Sequence, residues 1–155
     1  MSEAGESAEA KARRLVDAML ARDAYSAWLG LEVVEVRPGA CTVRMTVRDE
    51  MTNGFGVCHG GVTFSLADSA LAFACNTRGG LTMSIENAIG YPAPARPGDV
   101  LTAVAEEESG GRRVRFYRVS VTNARGEPVA HFRGTVYDTG RPHELPTGSS
   151  ERSAG

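Results

Sequence analysis

The sequence is short of the features that most directly announce a chemistry. Its 155 residues include only three cysteines, Cys41, Cys58 and Cys75. An odd number at wide spacing, with no CxxC, fits neither a disulfide framework nor a zinc site, so they are expected to be small core residues. Neither sign of charge dominates. The net charge is −2 and the isoelectric point about 5.9, which argues against nucleic acid or an anionic membrane as partner. The opening MSEAGESAEAKARR mixes acids and bases and lacks the apolar run of a secretory signal, so a cytoplasmic protein is expected. There is no internal repeat and no segment patterned as a helix-turn-helix. Gly60 to Thr77 is apolar enough to suggest a membrane span, but it holds Thr63, Ser65, Asp68, Ser69 and Asn76 and is read as a buried core helix.

What is present points to one globular domain, with 42% hydrophobic and 23% charged residues. Leu15, Val16, Met19, Leu20, Ala24 and Trp28 recur at helical spacing opposite Lys11, Arg13, Arg14, Asp17 and Arg22. They predict one surface helix from about Ala8, ending near Gly30. Strands are predicted at LEVVEV and from Cys41 to Val47, joined at Arg37-Pro38-Gly39-Ala40, and again at 82–90, 99–108, 112–122 and 128–138. Asn53-Gly54 and Gly56 mark a loop. Residues 1–24 are set apart as a partly flexible N-terminal helical segment, 25–139 as the folded domain, and the polar, Pro/Gly/Ser-rich 140–155 as a disordered tail. The fold class is α+β, because a nearly all-apolar helix followed by antiparallel strands requires a sheet that wraps it. The sheet edges and helix flank left over favour pairing with a second copy.

The segment HGGVTFSLADSALAFACN, residues 59 to 76, carries a single charged side chain, Asp68. A carboxylate among apolar neighbours is costly unless it is paired, hydrogen-bonded or protonated. It is either a catalytic group or a core residue bonded to backbone and hydroxyls. Gly60-Gly61 opens the helix, where unpaired N–H groups and the positive dipole end suit a developing oxyanion; a tight loop-to-helix entry explains the same dipeptide. His59 and Asn53 are placed to cap the helix or to donate to a substrate oxygen. Gly60 and Asp68 stand about 12 Å apart along one helix. If they act on one bond, the carboxylate of one subunit must face the helix start of another, so catalysis here predicts a dimer. A Cys58/His59 nucleophile pair lacks a nearby orienting acid in the sequence.

Taken with Asn53, Tyr91-Pro92-Ala93 and Arg96-Pro97-Gly98-Asp99, the same segment resembles the hotdog-fold acyl-CoA thioesterases, nearest to the phenylacetic-acid-degradation type, over about residues 25 to 138. The resemblance implies a hotdog fold, a long central helix wrapped by five or six antiparallel strands, with an N-terminal helix. It also implies homodimers or homotetramers with active sites between subunits, and no cofactor or metal. By position, Asp68 matches the catalytic carboxylate, as general base or nucleophile, and Gly60 the backbone donor to the thioester oxygen. His59 and Asn53 match orienting positions, and Ser69 and Ser84 positions that hold water or the carboxylate in some members. Gly61, Ser84, Tyr91, Arg96, Gly111, Arg112, Arg113 and Arg133 fall on the substrate and coenzyme A side, where guanidinium groups suit phosphates.

The expected substrate is an aryl-acyl-CoA such as phenylacetyl-CoA or a hydroxyphenylacetyl-CoA. Medium-chain aliphatic acyl-CoA is the second reading, and a non-catalytic acyl-CoA-binding protein the third. A hydratase or dehydratase on the same fold would want a His/Asp pair set for proton abstraction beside a C–C double bond. Phe55, Phe64 and Phe73 either line an aryl pocket or pack the core.

Overall fold

The computed structural model describes residues 5–144. The N-terminal periodicity yields two helices rather than one: α1 (Ala8–Leu20), capped by Ser7, and α2 (Ala24–Leu29). Asp23 causes the break. Its carboxylate accepts the Ser26 N–H at 2.9 Å and so starts a new helix, which Gly30 closes at φ +70°. Ala12, Leu15 and Val16 of α1 are buried, whereas Ala24 and Trp28 leave the predicted apolar stripe. Trp28 remains 48% exposed, stacked on Tyr25 with the Arg48 guanidinium 5.1 Å from its ring centre.

The strands follow as β1 (Glu32–Arg37), β2 (Ala40–Thr46), β3 (Gly80–Gly90), β4 (Val100–Gly110), β5 (Val114–Thr122) and β6 (Pro128–Pro142). They form one antiparallel sheet in the order β1-β2-β4-β5-β6-β3. Alternation decides which face is inward: on β2, Cys41, Val43 and Met45 are buried while Arg44 and Thr46 are exposed. The β1–β2 hairpin turns at Pro38-Gly39, where Gly39 holds φ +77°. The strand β6 runs to Pro142, so residues 140–142, expected in the tail, belong to the sheet. Gly80 pairs with Pro142 and the His143 N–H donates to the Gly79 carbonyl. Positions 145–155 of that expected tail lie outside the described residues.

The long helix α3 (Gly60–Cys75) packs on β2 through β6. Leu66, Ala67, Ala70, Leu71, Phe73 and Ala74 are buried against the sheet, which is why the helix can be apolar nearly all round. This is the hotdog arrangement. The sheet does not close round the helix: Phe64, Ser65, Asp68, Ser69 and Ala72 form a half-buried flank at i, i+3, i+4 spacing. The helix α2 touches that flank through Tyr25 to Ser65 (2.9 Å) and Ser26 to Ser69 (3.2 Å). Phe73 is core, Phe64 meets Phe132 edge-on, and Phe55 is 91% exposed on the loop before the helix.

Candidate active site

The chain enters α3 under tight backbone control. Cys58 N–H donates to the Ala95 carbonyl and His59 N–H to the Met51 carbonyl, both at 2.8 Å. Asn53 Oδ1 accepts from Phe55 N–H at 2.9 Å and shapes the loop. The His59 ring then caps the helix, its Nδ1 accepting the Gly61 N–H at 2.9 Å. The Gly60 N–H makes no hydrogen bond among the described residues. Tyr91 Oη donates to the Gly60 carbonyl at 2.7 Å, and its ring lies so close that a Cβ on Gly60 would stand 3.1 Å from it. A cavity of about 310 Å³ opens here between Asn53, Cys58, Gly60, Thr63, Tyr91 and Pro92. The Cys58 thiol is pushed up by burial, with Thr63 Oγ1 3.7 Å away, and His59 Nδ1 is taken by the helix. A Cys/His nucleophile pair is not assembled.

Two turns further along α3, Asp68 sits half-buried on the open flank. Burial raises its pKa above the ordinary aspartate range, and a hydrogen bond from Asn87 Nδ2, 3.0 Å from Oδ1, opposes that rise. Asn87 Nδ2 also lies 3.3 Å from Ser84 Oγ. Ser69, next to the acid in sequence, turns to Ser26 on α2, whose own hydroxyl donates to Asp23.

The structure therefore brings the candidates into two groups within one chain. Asn53, His59, Gly60, Gly61 and Tyr91 gather at the helix start, and Asp68, Ser84 and Asn87 on its flank. The guanidinium candidates are dispersed. Arg96 is exposed at a turn where its N–H meets Asp99, and Arg133 is exposed on β6 opposite Ala88. Gly111, Arg112 and Arg113 lie in the β4–β5 turn, where Arg113 reaches Tyr137 Oη at 3.2 Å. That turn meets the end of β6 paired with Thr82, while Tyr91 follows the opposite end of β3. No cluster of three or more His, Cys, Asp or Glu suited to a metal occurs among the described residues, and no described helix is long and apolar enough to cross a membrane.

Residues 55–130 match the thioesterase superfamily. The chain is 37% identical to the acyl-coenzyme A thioesterase PaaI of Escherichia coli over 84% of its length and 93% of the relative's. The chain belongs to the thioesterase superfamily. The solved structure of that E. coli protein, from the phenylacetic acid degradation operon, is similar with a TM-score of 0.86 at 36% identity, over 88% of this chain and 99% of the other. The human acyl-coenzyme A thioesterase 13 is 33% identical over 81% of this chain and 92% of its own. A hypothetical thioesterase from Streptococcus pneumoniae, solved with coenzyme A, has a TM-score of 0.70 at 27% identity over 73% and 88% of the two chains.

Within this thioesterase-superfamily chain, sequence reading missed Asn87. An asparagine in a strand that reads SIENAIG carries no motif. The available signal was physical: an acid in an apolar helix needs a donor, and a polar residue amid a strand is a candidate to supply it.

Proposed function

We propose that the protein hydrolyses acyl-coenzyme A thioesters, preferring an aryl-acyl group such as phenylacetyl or hydroxyphenylacetyl. The observation that carries this reading is the division of labour at the start of α3. Gly61 N–H is engaged by His59, while Gly60 N–H is unpaired at the positive end of the helix and borders the cavity. A thioester oxygen placed there gains a donor as it becomes an oxyanion.

Asp68 supplies the other half. Acting as base, it takes a proton from water as the water oxygen bonds to the carbonyl carbon; the C–S bond then breaks and the thiolate is protonated. Acting as nucleophile, it bonds to the carbonyl carbon and displaces the coenzyme A thiolate, which is then protonated, and water opens the resulting mixed anhydride to the free acid and Asp68. A carboxylate raised by burial is closer to the operating pH and so a better base than a solvated one. Because Gly60 and Asp68 lie about 12 Å apart on one helix, each site combines the helix start of one subunit with the carboxylate of another. The outer edge of the sheet at β3 supports this pairing, since β3 has a neighbour on one side only among the described residues and its Met83 and Ile85 are 59% and 62% exposed. A homodimer, or a tetramer of two such dimers, in the cytoplasm is the assembly this reading requires.

The E. coli relative's operon favours the aryl substrate, and Tyr91 is the aromatic side chain that borders the cavity at Gly60. Thiol release from a panel of aryl and aliphatic acyl-CoA substrates tests it. Asp68→Asn is expected to lower turnover by about 10² to 10⁴ while keeping affinity for a non-hydrolysable acyl-CoA. Retained binding with no thiol release from any thioester by the wild type would instead make this a binding protein. Label found in Asp68 after single-turnover hydrolysis in oxygen-18 water assigns the nucleophile role, because only the anhydride route can place it there.

A further inference from the structure

We propose that Asn87 is a positioning residue for this hydrolysis: it grips Asp68 Oδ1 and leaves the second carboxylate oxygen to meet water or the thioester. The proposal rests on the assignment of Asp68 given above. Asn87 Nδ2 is 3.0 Å from Oδ1, and no other hydrogen bond reaches that carboxylate among the described residues. The amide must present its NH₂ here, since a carboxylate offers only acceptors. That orientation leaves Asn87 Oδ1 buried without a partner. A fold that tolerates an orphaned buried acceptor to aim one donor is holding that donor for a reason.

Two backbone features put the amide in place. In a regular strand, residues three apart point to opposite faces, yet Ser84 and Asn87 touch. The pairing of β3 with β6 steps from Ser84–Val136 to Glu86–Thr135, so Ile85 is an extra residue, a bulge that brings both side chains to the helix side. Opposite Asn87 on β6 stands Gly134, where a Cβ would lie 2.8 Å from Asn87 Oδ1 and deep inside the van der Waals radius of Leu71. Bulge, glycine and asparagine together let the amide reach across to α3.

The surroundings leave Asn87 as the adjustable influence on Asp68. β2 and β4 turn Cys41, Val43, Met45, Leu101, Ala103 and Ala105 towards the helix. Of these only Cys41 titrates, and burial pushes it up to about 12. Cys75, two turns along α3, is likewise pushed up to about 12. Arg115 of β5 and Asp138 of β6 are within 3.5 Å of each other, and Asp23 behind α2 is occupied by Ser26. Glu86 on β3 and Arg133 on β6 are exposed.

The test is the pH dependence of acyl-CoA hydrolysis. Asn87→Leu, of similar size but no donor, is expected to lower kcat roughly tenfold with KM little changed. It should also move the acid limb to higher pH, because burial then acts unopposed. Asn87→Asp should move it further by adding a like charge. A folded Asn87→Leu with the wild-type acid limb overturns the proposal. Should both variants fail to fold, the side-chain amide resonance of Asn87 in the wild-type protein must follow the titration of Asp68; a flat resonance overturns it equally. Asp68→Asn separates the two readings. If it keeps wild-type turnover, the role of Asp68 itself falls; if it is inactive while Asn87→Leu is unaltered, only Asn87 falls.

Discussion

The two ends of α3 are built on opposite terms. At the C-terminal end the side chains of Asn76 and Thr77 bind the backbone groups around them. Asn76, 2% exposed, donates to the carbonyls of Ala72 and Thr82 at 2.8 and 2.9 Å and accepts from Thr82 N–H at 2.8 Å, with His143 Nε2 closing on the same oxygen. Thr77 Oγ1 donates to Ala74 and accepts from Gly39 N–H. At the N-terminal end the Gly60 N–H has no partner among the described residues and lies beside a cavity, and a half-buried acid lies two turns on. The difference teaches that helix ends need saturation for stability, so an unsaturated end marks a place where a ligand completes the bonding.

Substitutions at each end break or sharpen this contrast. The largest effect belongs to Asp68→Asn, whose loss of turnover comes with a gain in stability. Asp68 has a folded pKa raised by burial, so its contribution favours the fold below that pKa and is lost as pH rises through it. The variant should therefore melt higher than wild type at neutral pH, with the gap closing in acid, as scanning calorimetry at several pH values would record. Next comes Asn76→Ala, expected to cost about 3 kcal/mol in urea unfolding while the folded fraction keeps its kcat. A fall in kcat there would mean that the two ends are not independent.

Gly60→Ala follows. Its Cβ would press on the half-exposed Tyr91 ring, and we expect roughly a tenfold loss of kcat/KM with a melting temperature close to wild type, from paired kinetics and thermal scans. The smallest is His59→Ala, expected to cost about 1 kcal/mol through the lost cap. A loss of turnover far beyond that stability cost would give His59 a part in the chemistry.

The fold was largely legible because its strongest signals are local. The apolar run of α3 and the alternation on β2 place those elements within a residue or two. The division at Asp23 was not, since a helical stripe continued on paper to Trp28 while one carboxylate was enough to restart the helix. The extension of β6 to Pro142 was hidden for another reason. Its composition is that of a loop, and it becomes a strand only through pairing with Gly80 some 60 positions away. At the site, Asp68, Gly60 and His59 stand out by residue type and spacing. Asn87 does not, because the bulge at Ile85 that turns it inward is a property of strand pairing and leaves no mark in a period-two pattern.

Gly134 has a consequence for how this sequence can vary. The absent side chain there is filled from two directions, by Leu71 from the core and by Asn87 from the neighbouring strand. A methyl at 134 would collide with both, so it is admissible only alongside a shorter residue at 71 and a retracted one at 87. The three positions form one packing unit. Mutational libraries at 134 alone should find the position intolerant of side chains, whereas joint libraries at 71, 87 and 134 should recover folded combinations.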